Sequence, residues 1–332
     1  MSLTASEARW RDAFEGSIKN FLQGYPQGSA DELYDPIHYL ISLGGKRIRP
    51  ILALAACEAE GGQLEAAMPV AMAVELFHNF TLMHDDIMDE APLRRGRPTV
   101  HTKWSENAAI LSGDVMYTLA LTALEGTPPS ALKEVLRQFN ETSKEVCEGQ
   151  QSDMAFEVRD NVTVDEYLKM IRLKTSVLLA ASAAMGASAA GASSERVEAW
   201  YQYGVNVGLA FQIQDDFLDT FGESDSTGKQ VGGDILSDKK TLLWLTTQAH
   251  PAGREALAPW LGIHPASGSE QGEAKISAVR AAMIATGADA EAQRRMSQHI
   301  EEAISALSKL KLSPETASWF EGLARHVVSR SH

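Results

Sequence analysis

Apolar residues in this chain recur at intervals of three and four and seldom at two, and its β-branched residues are dispersed. A period near 3.6 gathers such residues on one stripe of a helix, whereas a half-buried strand needs alternation. The pattern predicts an all-α protein. Helices are expected over residues 4–23, 31–42, 50–59, 64–89, 104–123, 129–151, 164–190, 194–221, 234–249, 274–308 and 313–330. Gly and Pro clusters punctuate them, among them Gly61-Gly62 and Gly232-Gly233. Pro251 to Gly272, rich in Pro, Gly, Ala and Ser, reads as a longer loop with a short helix around Ala256 to Leu261. The length would suit two domains or one large helical one. No boundary is visible in the composition, so residues 1–332 are read as a single domain.

With 44% apolar and 22% charged residues, the chain can bury a sizeable core. Its 44 acidic residues exceed its 30 basic ones, giving a net charge of −14. Nucleic-acid binding needs a basic face, so that class is excluded and any bound anion requires a local exception. The two cysteines, Cys57 and Cys147, form no CxxC motif and have no His pair beside them, which supports neither a disulfide framework nor a zinc site. A cytoplasmic setting is expected. Met1 to Trp10 lacks the apolar core of a secretory signal. Thr175 to Ser194 is a run of 20 uncharged residues, long enough for a bilayer, but mostly Ala, Ser and Gly. It reads as a closely packed buried helix, and no transmembrane segment is expected.

One short pattern occurs twice: His84-Asp85-Asp86-Ile87-Met88-Asp89 and Gln214-Asp215-Asp216-Phe217-Leu218-Asp219. Both read D-D-x-x-D, with the first and last Asp about 40° apart on one helical face. Stacked like charges repel unless a cation neutralises them. All-oxygen ligands that leave room for water and phosphate suit Mg²⁺. A lone DDxxD is most simply a solvated face. Two copies that each close an apolar stripe (Val74, Phe77, Thr81; Val207, Leu209, Phe211) are not. Basic segments stand against the acidic background: Gly44-Gly45-Lys46-Arg47-Ile48-Arg49, Arg94-Arg95-Gly96-Arg97, and Lys229 with Lys239-Lys240. Beside metal-binding carboxylates they describe a polyanion site, most economically for diphosphate. His78, seven residues before Asp85, and Gln212, three before Asp215, share the faces of those motifs.

Lys46 and Arg49, the two DDxxD motifs and the Arg94-Arg95-Gly96-Arg97-Pro98-Thr99 run together resemble the trans-prenyltransferases, the isoprenyl diphosphate synthases of the polyprenyl synthetase family. Gly113-Asp114, Lys174-Thr175, Phe211-Gln212 and Gly233-Asp234 with Lys239 extend the resemblance. It implies an isoprenoid synthase helical bundle around a deep central cavity, and a homodimer. Asp85 and Asp89 would then hold two Mg²⁺ and Asp215 a third, with Asp216 and Asp219 assisting and Asp86 in the catalytic set. Arg94, Lys174, Lys229 and Lys239 would bind an allylic diphosphate. Lys46, Arg49, His78 and Arg95 would bind isopentenyl diphosphate. Thr175 and Gln212 would lie beside the allylic carbon where positive charge develops. Ionisation, condensation and elimination follow, with no enzyme nucleophile.

The resemblance also places an aromatic floor, which stops the growing product, at Phe80. A helical wheel puts Phe80 somewhat off the stripe of Asp89, Asp85, Thr81 and Phe77. The first motif lacks the two-residue insertion of typical bacterial farnesyl synthases, so a C20 geranylgeranyl product is expected, with C15 farnesyl the close alternative. A terpene cyclase would carry Ser or Thr where Asp219 stands and would not need Lys46 and Arg49. A non-catalytic regulatory subunit usually loses one carboxylate cluster, and both are intact here.

Overall fold

The computed structural model describes residues 5–25, 27–28, 33–222 and 231–328. The all-α expectation holds, since 78% of the chain is helical. Among the described residues the strands are one ribbon, Leu93–Arg94 paired antiparallel with Arg97–Pro98. The chain groups into two compact units: residues 1–140 with 181–200, and residues 141–180 with 201–332.

In the first unit the helix Leu64–Met88 packs against Ile48–Ala59, Glu106–Leu124 and Ala5–Leu22. Val70, Ala71, Ala73, Val74, Leu76 and Phe77 are all buried, so this helix is apolar nearly all round and works as a core element. The Ala/Ser/Gly run is the buried helix its composition predicts. A Cβ on Gly186 would lie 2.1 Å from the Ala53 carbonyl oxygen, so only glycine permits that approach. Among the described residues three stretches, Leu64–Met88, Glu106–Leu124 and Val164–Ala189, are long and apolar enough to cross a membrane by length and composition. Their apolar windows are 61%, 44% and 83% buried within the protein.

The second unit closes around a core that includes Phe156, Tyr167, Leu209, Ile213, Trp244 and Met283. The helix Val164–Ile171 opens on a capping box, Thr163 and Glu166 each satisfying the other's backbone N–H. It does not run uninterrupted to residue 190, as expected from the sequence. A π-turn, Arg172–Ser176, precedes the helix Val177–Ala189. Glycines pack against this widened turn: a Cβ on Gly149 would lie 2.3 Å from the Lys174 nitrogen, and one on Gly208 would lie 2.5 Å from the Ser176 Cα.

Further boundaries also differ from the sequence reading. The expected helix 234–249 is two, Gly233–Leu236 and Leu242–Ala249, because Asp238 adopts a left-handed backbone and Thr241 caps the second helix. The expected helix 274–308 is also two, Glu270–Ala285 and Ala288–Ser308, parted at left-handed Gly287. The loop after residue 250 begins as a helix, Pro251–Leu257, with Pro at its first position where a missing N–H costs nothing.

Candidate active site

The first DDxxD motif lies at the C-terminal end of the helix Leu64–Met88, with Asp85 half-buried, Asp86 buried and Asp89 exposed at the cap. The ribbon that follows turns through Arg95 and Gly96, at φ 52° and 72°, the left-handed pair that a two-residue hairpin needs. The turn sends Arg94 back along the motif, where its Nε and Nη2 fork onto both Asp86 oxygens at 2.7–3.0 Å. Arg94 therefore orients Asp86, a contact the sequence reading did not contain. Arg95 reaches the Gly44-Gly45 turn so closely that a Cβ on Gly45 would meet its guanidinium at 2.9 Å.

Arg49 Nη1 stands 3.2 Å from His78 Nε2. Burial, then Arg49, Arg95, Arg94 and Arg47, push the His78 imidazole well below its ordinary pKa. It is neutral at physiological pH and accepts from Arg49. Burial lowers Arg49 itself to about 10, which leaves it a cation, and its buried Nε has no partner. The structure thus brings Arg49, His78 and Arg95 together, with exposed Lys46 on the same turn. Arg47 has a structural role: it is buried against Glu75 at 2.6 Å and Glu15 at 2.8 Å.

Phe80 and Thr81 are half-buried and Phe77 is fully buried. Phe80 belongs to an aromatic cluster, with ring centroids 5.5 Å from Phe77, 5.6 Å from Tyr117 and 4.7 Å from His84. Phe139 closes its back at 5.5 Å from Phe77. The Thr81 hydroxyl donates to its own helix at the His78 carbonyl. Tyr117 and Phe139 are absent from the sequence reading because their proximity depends on how three helices pack.

In the second unit Asp215 is exposed and Asp216 buried on the helix Ser194–Phe221. Both Asp216 oxygens are engaged: Tyr167 Oη donates at 2.5 Å and Gln212 Nε2 at 2.9 Å. Gln212 Oε1 in turn accepts from Thr175 Oγ1 at 3.1 Å. The four side chains form one network whose donors converge on Asp216, so the amide of Gln212 and the hydroxyl of Thr175 cannot turn independently. Asp219 Oδ2 accepts from the Asp234 backbone N–H at 2.9 Å. Lys174 meets Asp153 at 2.6 Å and Lys239 meets Asp234 at 3.4 Å. Burial raises the Asp216 carboxyl to about 7, opposed by the charge of Lys239 and reinforced by that of Asp234. Asp153 and Tyr167 carry no motif signal. Lys229 lies outside the described residues.

The two motifs share a division of labour: each second Asp is held by protein hydrogen bonds, while Asp85, Asp89 and Asp215 retain at least partial exposure. Among the described residues no three His, Cys, Asp or Glu side chains form a group able to hold a metal alone. That donor set fits Mg²⁺, which takes one or two carboxylates and fills its octahedron with water and phosphate oxygens. It does not fit a closed zinc cage.

An all-helical chain with two such motifs and their attendant cations is built to handle a diphosphate. The polyprenyl synthetase family profile matches residues 30–283. The chain is 47% identical to geranylgeranyl diphosphate synthase of Methanosarcina mazei over 221 residues, 66% of this chain and 68% of that protein. It is 38% identical to (2E,6E)-farnesyl diphosphate synthase of Mycobacterium tuberculosis over 308 residues, 92% of this chain and 84% of that one. A crystal structure of a geranylgeranyl pyrophosphate synthase superimposes with a TM-score of 0.92 at 40% identity, over 98% of both chains. The chain belongs to the polyprenyl synthetase family and is a prenyltransferase.

Proposed function

We propose that this chain joins isopentenyl diphosphate to an allylic diphosphate, head to tail, and releases chiefly the C20 all-trans product, geranylgeranyl diphosphate. The observation that carries the reading is the shared construction of the motifs, each with a buried, hydrogen-bonded second Asp, a less buried first Asp and attendant cations. The similarity to a geranylgeranyl diphosphate synthase supports C20, as does the aromatic cluster behind Phe80. By the family resemblance Asp85 and Asp89 would hold two Mg²⁺ and Asp215 a third, with Asp219 assisting. Bound magnesium would neutralise the diphosphate and make it a better leaving group. Arg94, Lys174, Lys229 and Lys239 would hold the allylic diphosphate, and Lys46, Arg49, His78 and Arg95 the acceptor. Thr175 gives its proton to Gln212, so its oxygen lone pairs are left to face developing positive charge. Asp86 and Asp216 are positioning residues in this reading.

One domain over residues 1–332 belongs to the same proposal, supported by a likeness that runs over 98% of the chain. So does a homodimer, supported by the apolar helix Glu106–Leu124, whose Ile110 and Leu111 are exposed. A cytoplasmic location suits the two free thiols. The test is incubation of the purified chain and Mg²⁺ with isopentenyl diphosphate and each of dimethylallyl, geranyl and farnesyl diphosphate, followed by chromatography. C20 is expected from all three. Termination at C15 replaces the product assignment, and cyclisation of farnesyl diphosphate without isopentenyl diphosphate overturns the reading.

A further inference from the structure

Lys275 stands outside every motif of the sequence, on the helix Glu270–Ala285, and its side chain is wholly buried. A buried ammonium is tolerated only with a full set of partners. Three acceptors meet its three N–H donors: Asp238 Oδ1 at 2.6 Å, the Ile263 carbonyl at 2.7 Å and the Leu236 carbonyl at 3.2 Å. Leu236 and Asp238 belong to the turn that delivers the next residue, Lys239. Asp238 adopts a left-handed backbone, φ 55°, uncommon for a residue with a side chain, and its Oδ2 accepts from the Gly262 N–H at 2.8 Å. The neighbouring residue on the same helix grips the other end of this segment, since a Cβ on Gly232 would lie 2.7 Å from Ile276 Cδ1. Between these two anchors, Asp234 accepts the Lys239 backbone N–H through its carbonyl at 2.9 Å, and its carboxylate meets Lys239 Nζ at 3.4 Å.

We propose that the buried Lys275–Asp238 pair is a positioning device that fixes the turn carrying Lys239, so that its ammonium is aimed at the allylic diphosphate. The proposal rests on the reading of Lys239 as a diphosphate ligand. A buried ion pair is a weak source of net stability, because apolar residues of similar volume often serve as well. It does fix direction: two carbonyls, a carboxylate and an ammonium meet in one register only. Removing both charges therefore leaves the fold standing and releases Lys239.

The experiment measures binding of inorganic pyrophosphate with Mg²⁺ by calorimetry, alongside thermal midpoints, on four full chains: wild type, Lys239→Ala, the pair variant Lys275→Met/Asp238→Asn, and the triple variant. Asn keeps the left-handed backbone accessible. Lys239→Ala is expected to weaken binding about tenfold, the loss of one charge-assisted hydrogen bond. The pair variant is expected to weaken it about fivefold with a midpoint close to wild type, and the triple variant to bind no more weakly than Lys239→Ala alone. Wild-type affinity in the pair variant overturns the proposal, and so does multiplication of the two losses in the triple variant. Should the pair variant not fold, Lys275→Gln/Asp238→Asn, which removes both charges but keeps a hydrogen-bond donor on the helix, takes its place under the same two criteria. A wild type that binds no pyrophosphate, or a Lys239→Ala variant that binds it normally, instead overturns the reading of Lys239 on which the proposal rests.

Discussion

At the scale of single residues, the second aspartate of each motif is buried and held by other side chains. Asp86 is forked by Arg94 and Asp216 is held between Tyr167 and Gln212. Tyr167→Phe leaves one buried Asp216 oxygen without its donor, a loss of about 1–3 kcal/mol. Because Asp216 also fixes Gln212, kcat is expected to fall about tenfold, with KM for isopentenyl diphosphate nearly unchanged, in steady-state assays. Asp216 also leaves a signature in metal-free protein. Its folded carboxyl ionises near 7, because burial opposes the charge, against an ordinary 3.8 in the unfolded chain. The unfolded state thus releases its proton first as pH rises, and this group's contribution to stability declines between about 4 and 7. Asp216→Asn removes that decline. Urea denaturation at pH 5 and pH 8 should show the variant gaining on wild type at the higher pH, and an equal offset at both values refutes the assignment.

At the scale of elements, the π-turn Arg172–Ser176 presents adjacent Lys174 and Thr175 to different partners, Asp153 and Gln212. A regular helix would hold them about 100° apart, whereas the widened turn alters that angle. Gly149→Ala drives a methyl into the Lys174 backbone, so a stability loss of about 1–3 kcal/mol and a lower kcat are expected together, by thermal melts and assay. The helix Ala288–Ser308, which carries no motif residue, offers a control. Arg294 and Arg295 both donate to Glu291 and hold its carboxyl at about 2. Its stabilisation is present above the unfolded value of 4.5 and fades as pH falls toward 2. Helix ion pairs contribute only about 0.3–0.5 kcal/mol each, so Glu291→Gln should cost less than about 1 kcal/mol at pH 7, shrinking at pH 3, with turnover unchanged.

At the scale of the whole molecule, side chains from three helices meet around Phe80, the residue proposed to stop the growing product. Phe80→Ala should lengthen the product, and Phe80→Ala/Tyr117→Ala should lengthen it again, because Tyr117 stands directly behind that ring. An unchanged chromatographic profile in both variants would remove Phe80 as the stop. The same cluster shows why sequence reading stopped short here. Phe77 and Phe80 lie on one helix and their nearness follows from spacing, whereas Tyr117 and Phe139 come from helices whose approach no local pattern encodes.

The amino-acid sequence alone determined the all-helical class, the paired acidic motifs and the basic segments beside them, because helical period and charge spacing are local properties of a chain. Only the tertiary structure decided which acid each cation meets: Arg94 with Asp86, Lys174 with Asp153, Lys275 with Asp238. It also decided where helices break, at Asp238, at Gly287 and through the π-turn. Those outcomes depend on close approaches between separate elements, where burial makes a missing partner costly and a single Cβ can forbid contact.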